Sequence, residues 1–225
     1  MTSPRPPRRT EPVSPIPEPG DGPRPEPVEG PSTSSGHGGD PHARARSWLP
    51  PDDDPARPLM TLATLGLDGC PAARTVLLSS VSDAGFRFHT DARSAKAAEL
   101  AAHDRVALVL AFPDRAQQLV VQGRAAPEDA LQSRAAFGRR SAYLRHLAWV
   151  NDADHARLPD DERRRAWSAA VAEAPDGPLD PPTTWVGYEV VPHRYVFWEG
   201  SPDAASHRTV FVRVGNGWTV EHLPG

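Results

Sequence analysis

From Leu59 onward the chain alternates short apolar runs with turn residues. "LMTLATLGLDGCPAARTVLLSS" (59–80) reads as two strands around an Asp68-Gly69 turn, a strong hairpin signal. "SDAG" turns the chain into a short strand, "FRFHT". "RSAKAAELAAH" then changes to helical composition, with Ser94 as the N-cap and Glu99 among alanines. "RVALVLAF" and "QQLVVQGRA" are near-continuous apolar runs, the pattern of strands buried on both faces, and "FPDRA" joins them as an antiparallel pair. Pro127 to Ala174 reads as a helical block in three parts, around "PEDALQSRAAF", "SAYLRHLAWV" and "PDDERRRAWSAAVAEA". The proline-rich "PDGPLDPP" stops it. Strands return in "TWVGYEVV", "RYVFWEG" and "TVFVRV", and "WTVEHL" follows an Asn216-Gly217 turn. Short strands with helices inserted as a block predict a mainly β fold with inserted helices, a barrel rather than a βαβ sheet.

Composition divides the chain. Residues 1–45 are dominated by proline, glycine, serine and charge, with almost nothing to bury, and read as a disordered, partly polyproline-like tail. Residues 46–225 form the expected folded domain. "PRPPRR" and "PIPEP" have the local shape of a polyproline ligand, although a solubilising leader without a partner explains them as well. The net charge of −4, with mixed signs, gives no reason to expect nucleic acid as a partner. No apolar run approaches the roughly 20 residues of a membrane span, so no membrane partner is expected either. The single cysteine, Cys70, excludes an intramolecular disulfide framework and fits a reducing, cytoplasmic location.

Candidate chemistry gathers around Lys96, the only lysine among 25 Lys and Arg side chains. It lies in the first turn of the expected helix, the end at which the helix dipole disfavours a cation. Either it is a solvated lysine, or an anion docks there. An anion would meet free backbone N–H groups, the Ser94 or Thr90 hydroxyl and the ammonium. Arg74, on the second strand, could add a guanidinium fork.

"RTVLLSS", "FHTDARSAKAAEL", "QQLVVQGRA" and "VFWEG…HR", with "WVGYEVVPH" before the last, resemble the pyridoxamine 5'-phosphate oxidase family in order and spacing. The resemblance runs from about Trp48 to Pro224 and implies an FMN-binding split β-barrel that works as a homodimer. It further implies that Arg74, Thr90 and Lys96 hold the FMN phosphate. The strand backbone at Thr75, Val76, Leu77 and Leu78 would run along the isoalloxazine, with Ser79 and His89 beside it. Gln118 would bond the ring, and Trp198 and Arg208 would come from the partner subunit. Each also has a plainer reading: Trp198 as strand core, Gln118 as a sheet-edge polar residue, Arg208 as a solvated strand start.

Departures from the family pattern bear mostly on substrate. Ala95 stands where an arginine is usual, His89 where a tyrosine is, and Ala153-Asp154 where a Gln-Ser pair is; an aspartate beside a phosphate would repel it. Ser79 replaces a lysine, while Ala136 and Leu144 replace the tyrosine and serine expected on the substrate phosphate, leaving Arg140. Ala204 to Ser206 replace an Arg-x-His. Losing two or three charge-assisted bonds, at about 1.5–3 kcal/mol each, would weaken phosphate-ester binding by orders of magnitude. Ser79-Ser80, Gln117-Gln118 and the run from Val186 to Trp198 resemble instead the phenazine-biosynthesis branch. That branch implies an FMN-dependent oxidase of a reduced aromatic small molecule with dioxygen as acceptor. Ser79, Arg140 and His207 would contact a substrate carboxylate, and Arg208 would stabilise reduced flavin. No residue is singled out as a catalytic base, and no spacing suggests a metal site. The alternatives are a divergent pyridoxamine/pyridoxine 5'-phosphate oxidase and a non-catalytic flavin-binding dimer.

Overall fold

The computed structural model describes residues 39–54, 56–174 and 179–225; the expected tail through residue 38 and the Pro175–Pro178 stretch lie outside them. The first described element is a helix, α1 (Pro41–Trp48), which crosses the boundary expected at residue 45. Asp40 caps it by accepting from the His42 N–H at 2.9 Å, and Pro41 opens its first turn. Ala45 is fully buried, Trp48 packs edge-on against Phe197 at 5.1 Å, and His42 bonds the Tyr195 hydroxyl at 2.7 Å. With so few apolar residues on its inner face, α1 carried almost no sequence signal.

The first hairpin joins β1 (Leu59–Leu65) to β2 (Pro71–Leu77), with Gly69 at φ +81° supplying the turn. Then come β3 (Ser80–Val81), β4 (Phe86–Asp91), α2 (Ala95–Ala102), β5 (Arg105–Phe112) and β6 (Gln117–Pro127). A 3-10 turn over Pro113–Arg115 pairs β5 with β6 antiparallel, as the sequence implied. The helical block has four helices rather than three: α3 (Ala130–Gly138), α4 (Ala142–Val150), α5 (Ala153–Arg157) and α6 (Asp160–Ala172). The extra break follows Asn151, because Asp152 accepts from the Asp154 and His155 N–H groups and starts α5 afresh.

One long strand, β7 (Trp185–Glu199), replaces the two expected before β8 (His207–Val214) and β9 (Gly217–Pro224). Pro192 does not break it. The register with β6 slips there, Gln122 facing Arg194 and Gly123 facing Pro192, so His193 is the extra residue of a bulge. The strand order is β2-β1-β5-β6-β7-β4-β3, with β8 on the second half of β7 and β9 outside it. Chain passing from β2 into β3 brings the ends of this path together, and the Ser79 N–H reaches the Arg87 carbonyl at 2.8 Å. The sheet therefore curls into a half-barrel around Leu62, Leu78, Phe86, Phe88, Leu108 and Leu119. β5 is not buried on both faces in the single chain: Val106, Leu108 and Leu110 are buried and alternate with half-buried Ala107 and Val109.

Gly123 sits where β6 passes the bulge, and a Cβ there would lie 2.5 Å from the Val191 carbonyl oxygen. Gly123→Ala is expected to cost about 1–3 kcal/mol, read as a lower urea midpoint with an unchanged slope. An unshifted midpoint would show that the bulge can move.

Candidate active site at the seam of the sheet

A cavity of about 320 Å³ opens where the two ends of the sheet meet. β2 supplies Thr75, Val76 and Leu77, β4 supplies His89, Thr90 and Asp91, and α2 supplies Lys96, with Ser94 just before it. Arg140, Leu144 and Leu147 close it from the helical block, and Trp185 from β7. β2 ends the sheet path, so its outer backbone groups are free to pair with a planar ring that carries both donors and acceptors.

At one end of the cavity Thr90, Ser94 and Lys96 come together. The Lys96 ammonium donates to the Thr90 hydroxyl at 3.1 Å. Burial, then the like charge of Arg74, pulls its pKa below the usual lysine value. Ser94 occupies the N-cap position but makes no capping bond; its hydroxyl lies 3.3 Å from that of Thr90. The Ala97 N–H is taken by the Ser94 carbonyl at 3.0 Å, and among the described residues the Ala95 and Lys96 amides keep their donors for a ligand. Asp91, also on the cavity wall, is held by Arg93 at 2.7 Å, whose hydrogen bond keeps the carboxyl below its ordinary pKa. One ammonium beside two hydroxyls and free amides suits a phosphate monoester.

Arg74 does not line this cavity. Its guanidinium donates to Glu99 at 2.6 Å and to the Thr64 hydroxyl at 2.5 Å, and that hydroxyl donates to Glu99 at 2.6 Å. Glu99, read from sequence only as a helix former, is a buried carboxylate that ties α2 to the first hairpin. Leu78 also falls outside the cavity. It is fully buried, its N–H is taken by the Pro58 carbonyl at 3.0 Å, and its own carbonyl accepts from Arg57 at 3.2 Å. Only Thr75 to Leu77 of the expected strand segment remain available.

Gln118, Trp198 and Arg208 form one cross-strand row on β6, β7 and β8, since Gln118 faces Trp198 and Trp198 faces Arg208. Directly opposed residues share a sheet face, so these three enter any site as a set. None lines the cavity that holds Lys96. His207, one residue along β8, points to the other face and lies 3.7 Å from Glu199, which also pairs with Arg44. Within one chain it is not brought to Arg140. Asp154, expected to trouble a phosphate, instead pairs with Arg157 at 2.9 Å on the outer side of α5.

A second cavity of about 390 Å³ adjoins the first through Leu77, Arg140 and Leu144. Ser79, Ala136 and Arg139 line it. The Arg140 guanidinium lies 4.4 Å over the Trp185 ring, and burial lowers its pKa to about 10. Between the two cavities runs a buried polar chain. Ser79 Oγ is 2.8 Å from His89 Nδ1, and His89 Nε2 is 2.8 Å from Glu128. Ser133 donates to the same Glu128 oxygen at 3.1 Å. The His89 ring stacks on Trp185 at 5.1 Å and 7°. Burial, helped by the positive charges of Arg140, Arg139 and Arg87, lowers the His89 pKa to about 3. Burial raises that of Glu128.

Residues 55–176 match the family profile described as pyridoxamine 5'-phosphate oxidase, and residues 185–224 match its C-terminal dimerisation region. A pyridoxine/pyridoxamine 5'-phosphate oxidase of Thermosynechococcus vestitus is 39% identical over 183 residues, 80% of this chain and 86% of that protein. One from Burkholderia multivorans is 36% identical over 170 residues, 73% of this chain and 78% of that protein. Among solved structures, PhzG from Burkholderia lata, in complex with tetrahydrophenazine-1-carboxylic acid, superposes with a TM-score of 0.63. It shares 23% identity, over 81% of this chain and 87% of that one. A pyridoxamine 5'-phosphate oxidase-related, FMN-binding protein from Nostoc punctiforme gives 0.61 at 22% identity, covering 74% and 88%. At such identities the two structures speak for the fold.

The neutral His89 makes stability acid-sensitive. As pH falls below about 6.5, the unfolded chain takes up a proton that folded His89 refuses until about 3. Its contribution is full above 6.5 and is lost toward 3, by at most about 1.4 kcal/mol per pH unit. Glu128, with its raised pKa, offsets part of this as the folded chain takes its proton first. Urea midpoints at pH 7, 6 and 5 are expected to fall less steeply in His89→Gln than in the parent. Equal slopes would show that His89 titrates normally.

Proposed function

Because the chain belongs to the pyridoxamine 5'-phosphate oxidase family, a family of FMN-dependent oxidases, we propose that it binds FMN as a homodimer and oxidises a reduced, carboxylate-bearing aromatic molecule. The observation that carries the substrate half is the lining of the second cavity. Ala136 and Leu144 stand beside Arg140 there, and Ser79 is already bonded to His89. The same lining holds Arg57 and Arg139 and the carboxylates of Asp52, Asp53 and Asp54, and those acidic groups oppose a phosphate dianion more than a singly charged carboxylate on a flat ring.

In this reading Lys96, Thr90, Ser94 and the first-turn amides hold the FMN phosphate, and the open edge of β2 from Thr75 to Leu77 orients the ring. Arg74 acts through Glu99, fixing α2 and adding positive potential. Gln118, Trp198 and Arg208 come together from the partner chain, which fits the match of residues 185–224 to a dimerisation region. FMN held there would supply the two-electron redox chemistry, with dioxygen as acceptor and hydrogen peroxide as its product. Arg140 anchors the substrate carboxylate, and the apolar helix faces at Leu144 and Leu147 exclude water from the stacked rings. The second reading, oxidation of pyridoxine or pyridoxamine 5'-phosphate, is favoured by the names of the relatives at 36–39% identity.

Peroxide release from 5,10-dihydrophenazine-1-carboxylate, measured against pyridoxine 5'-phosphate, separates the readings. Turnover of the phosphate ester alone would overturn the proposal, and turnover of neither would favour a non-catalytic flavin dimer. Lys96→Ala is expected to weaken FMN about tenfold to a hundredfold, one charged bond's worth, without changing the apoprotein's stability. Arg74→Ala is expected to destabilise the apoprotein by about 3 kcal/mol, because it orphans buried Glu99. Adding Glu99→Gln should restore the fold. Undiminished flavin stoichiometry in Lys96→Ala, by absorbance after dialysis, would remove the phosphate site from α2.

A further inference from the structure

The buried chain from Ser79 through His89 to Glu128 has a direction, and that direction faces the substrate cavity. Gly187 lies opposite His89 in the β4–β7 ladder, and a Cβ on it would sit 2.2 Å from Glu128 Oε2 and 2.9 Å from the His89 ring. The absent side chain leaves room for the network, which makes this a built site. The side chains of His89 and Glu128 are 0% and 3% exposed, so water does not share their bonds. A neutral imidazole carries one N–H and one lone pair, and the bond made at one nitrogen decides the other. Glu128 Oε2 receives the Ser133 hydroxyl at 3.1 Å, and Oε1 faces the Arg87 guanidinium at 3.5 Å. It is a carboxylate among donors, and the imidazole proton goes to it. His89 Nδ1 is then an acceptor, so Ser79 must donate its only proton inward.

We propose that Ser79 therefore presents an acceptor-only hydroxyl to the substrate cavity, and that it reads an N–H donor which the reduced substrate carries and the oxidised product lacks. This rests on the aromatic-substrate reading given above. A dihydro-aromatic amine that yields two electrons and two protons loses that N–H, and dioxygen takes up both pairs as hydrogen peroxide. The product nitrogen then turns a lone pair toward the lone pairs of Ser79. One hydroxyl thus favours substrate over product and aids release. It also removes Ser79 from the carboxylate: an oxygen anion would meet lone pairs there, and that group is left to the arginines of the lining, Arg140 foremost. Ser79 is the contacting residue; His89 and Glu128 are positioning residues.

The arrangement can be reversed without changing its shape. In Glu128→Gln the amide oxygen stays toward the Arg87 donor, and the NH₂ takes the place of Oε2. It then donates to His89 Nε2, which moves the ring proton to Nδ1 and turns the Ser79 hydroxyl proton into the cavity. Two observations on the FMN-loaded protein test this. Nitrogen-15 spectra of labelled histidine, assigned by loss of one signal pair in His89→Gln, should show a protonated Nε2 and a bare Nδ1 in the parent. Flavin absorbance titrations should show acridone-2-carboxylate, which has a ring N–H, binding about tenfold tighter than acridine-2-carboxylate, which has a ring lone pair. Ser79→Ala should bring that ratio toward one, and Glu128→Gln should invert it. A protonated Nδ1 in the parent, or an unchanged ratio in Ser79→Ala, overturns the inference and leaves the proposed function standing. Binding of neither ring overturns the aromatic reading and the inference with it.

Discussion

The structure depends on one strand serving two neighbours in succession. Along one edge β7 pairs with β6 over nearly its whole length; along the other it pairs with β4 from Trp185 to Val190 and with β8 from Arg194 to Glu199. The change of neighbour falls at the bulge, where Pro192 has no N–H to give and Gly123 lets the backbones approach. Trp185 and Gly187, beside the cavity, and Trp198, in the row expected to meet a second chain, are thereby parts of one rigid element. The geometry of the cavity and that of the row expected to meet a second chain are set by the same ladder of hydrogen bonds.

Much of this was legible in the sequence, and the failures have physical causes. The Asp68-Gly69 hairpin and the helix after Ser94 rest on local chemistry, and the structure has both. The helix Pro41–Trp48 was missed because a one-sided helix that docks through His42, Ala45 and Trp48 shows no sustained period. Two strands were read for β7 because proline normally ends pairing, and the bulge that tolerates it depends on a distant glycine. Glu99 and Glu128 both read as carboxylates of helical segments. Only tertiary structure gives them Arg74 and His89 as partners, residues 25 and 39 positions away.

The departures from the family pattern make more sense as pairs than as single changes. Ser79 and His89, each noted separately in the sequence, are 2.8 Å apart and share one hydrogen bond. A lysine at the first position would put a cation beside an imidazole whose surroundings are already rich in arginine. Replacing both residues leaves a neutral, satisfied network with the carboxylate on its far side. Asp154, which should have repelled a phosphate, is neutralised by a neighbour on its own helix. On α2 Lys96 is kept although Ala95 stands where an arginine is usual, while around the second cavity Ser79, Ala136 and Leu144 replace side chains expected on a substrate phosphate.

Ser79 stands on the short connection between β2 and β3, and Ala136, Arg140 and Leu144 stand on or between the helices α3 and α4. None of the four lies within a strand, and only Ser79 touches the sheet's ladder, through its backbone. A lineage can therefore exchange them and try new chemistry while inheriting its folding route. Descent with altered diet is cheap for such an architecture, and the replacements at Ser79, Ala136 and Leu144 beside an unbroken sheet are its imprint.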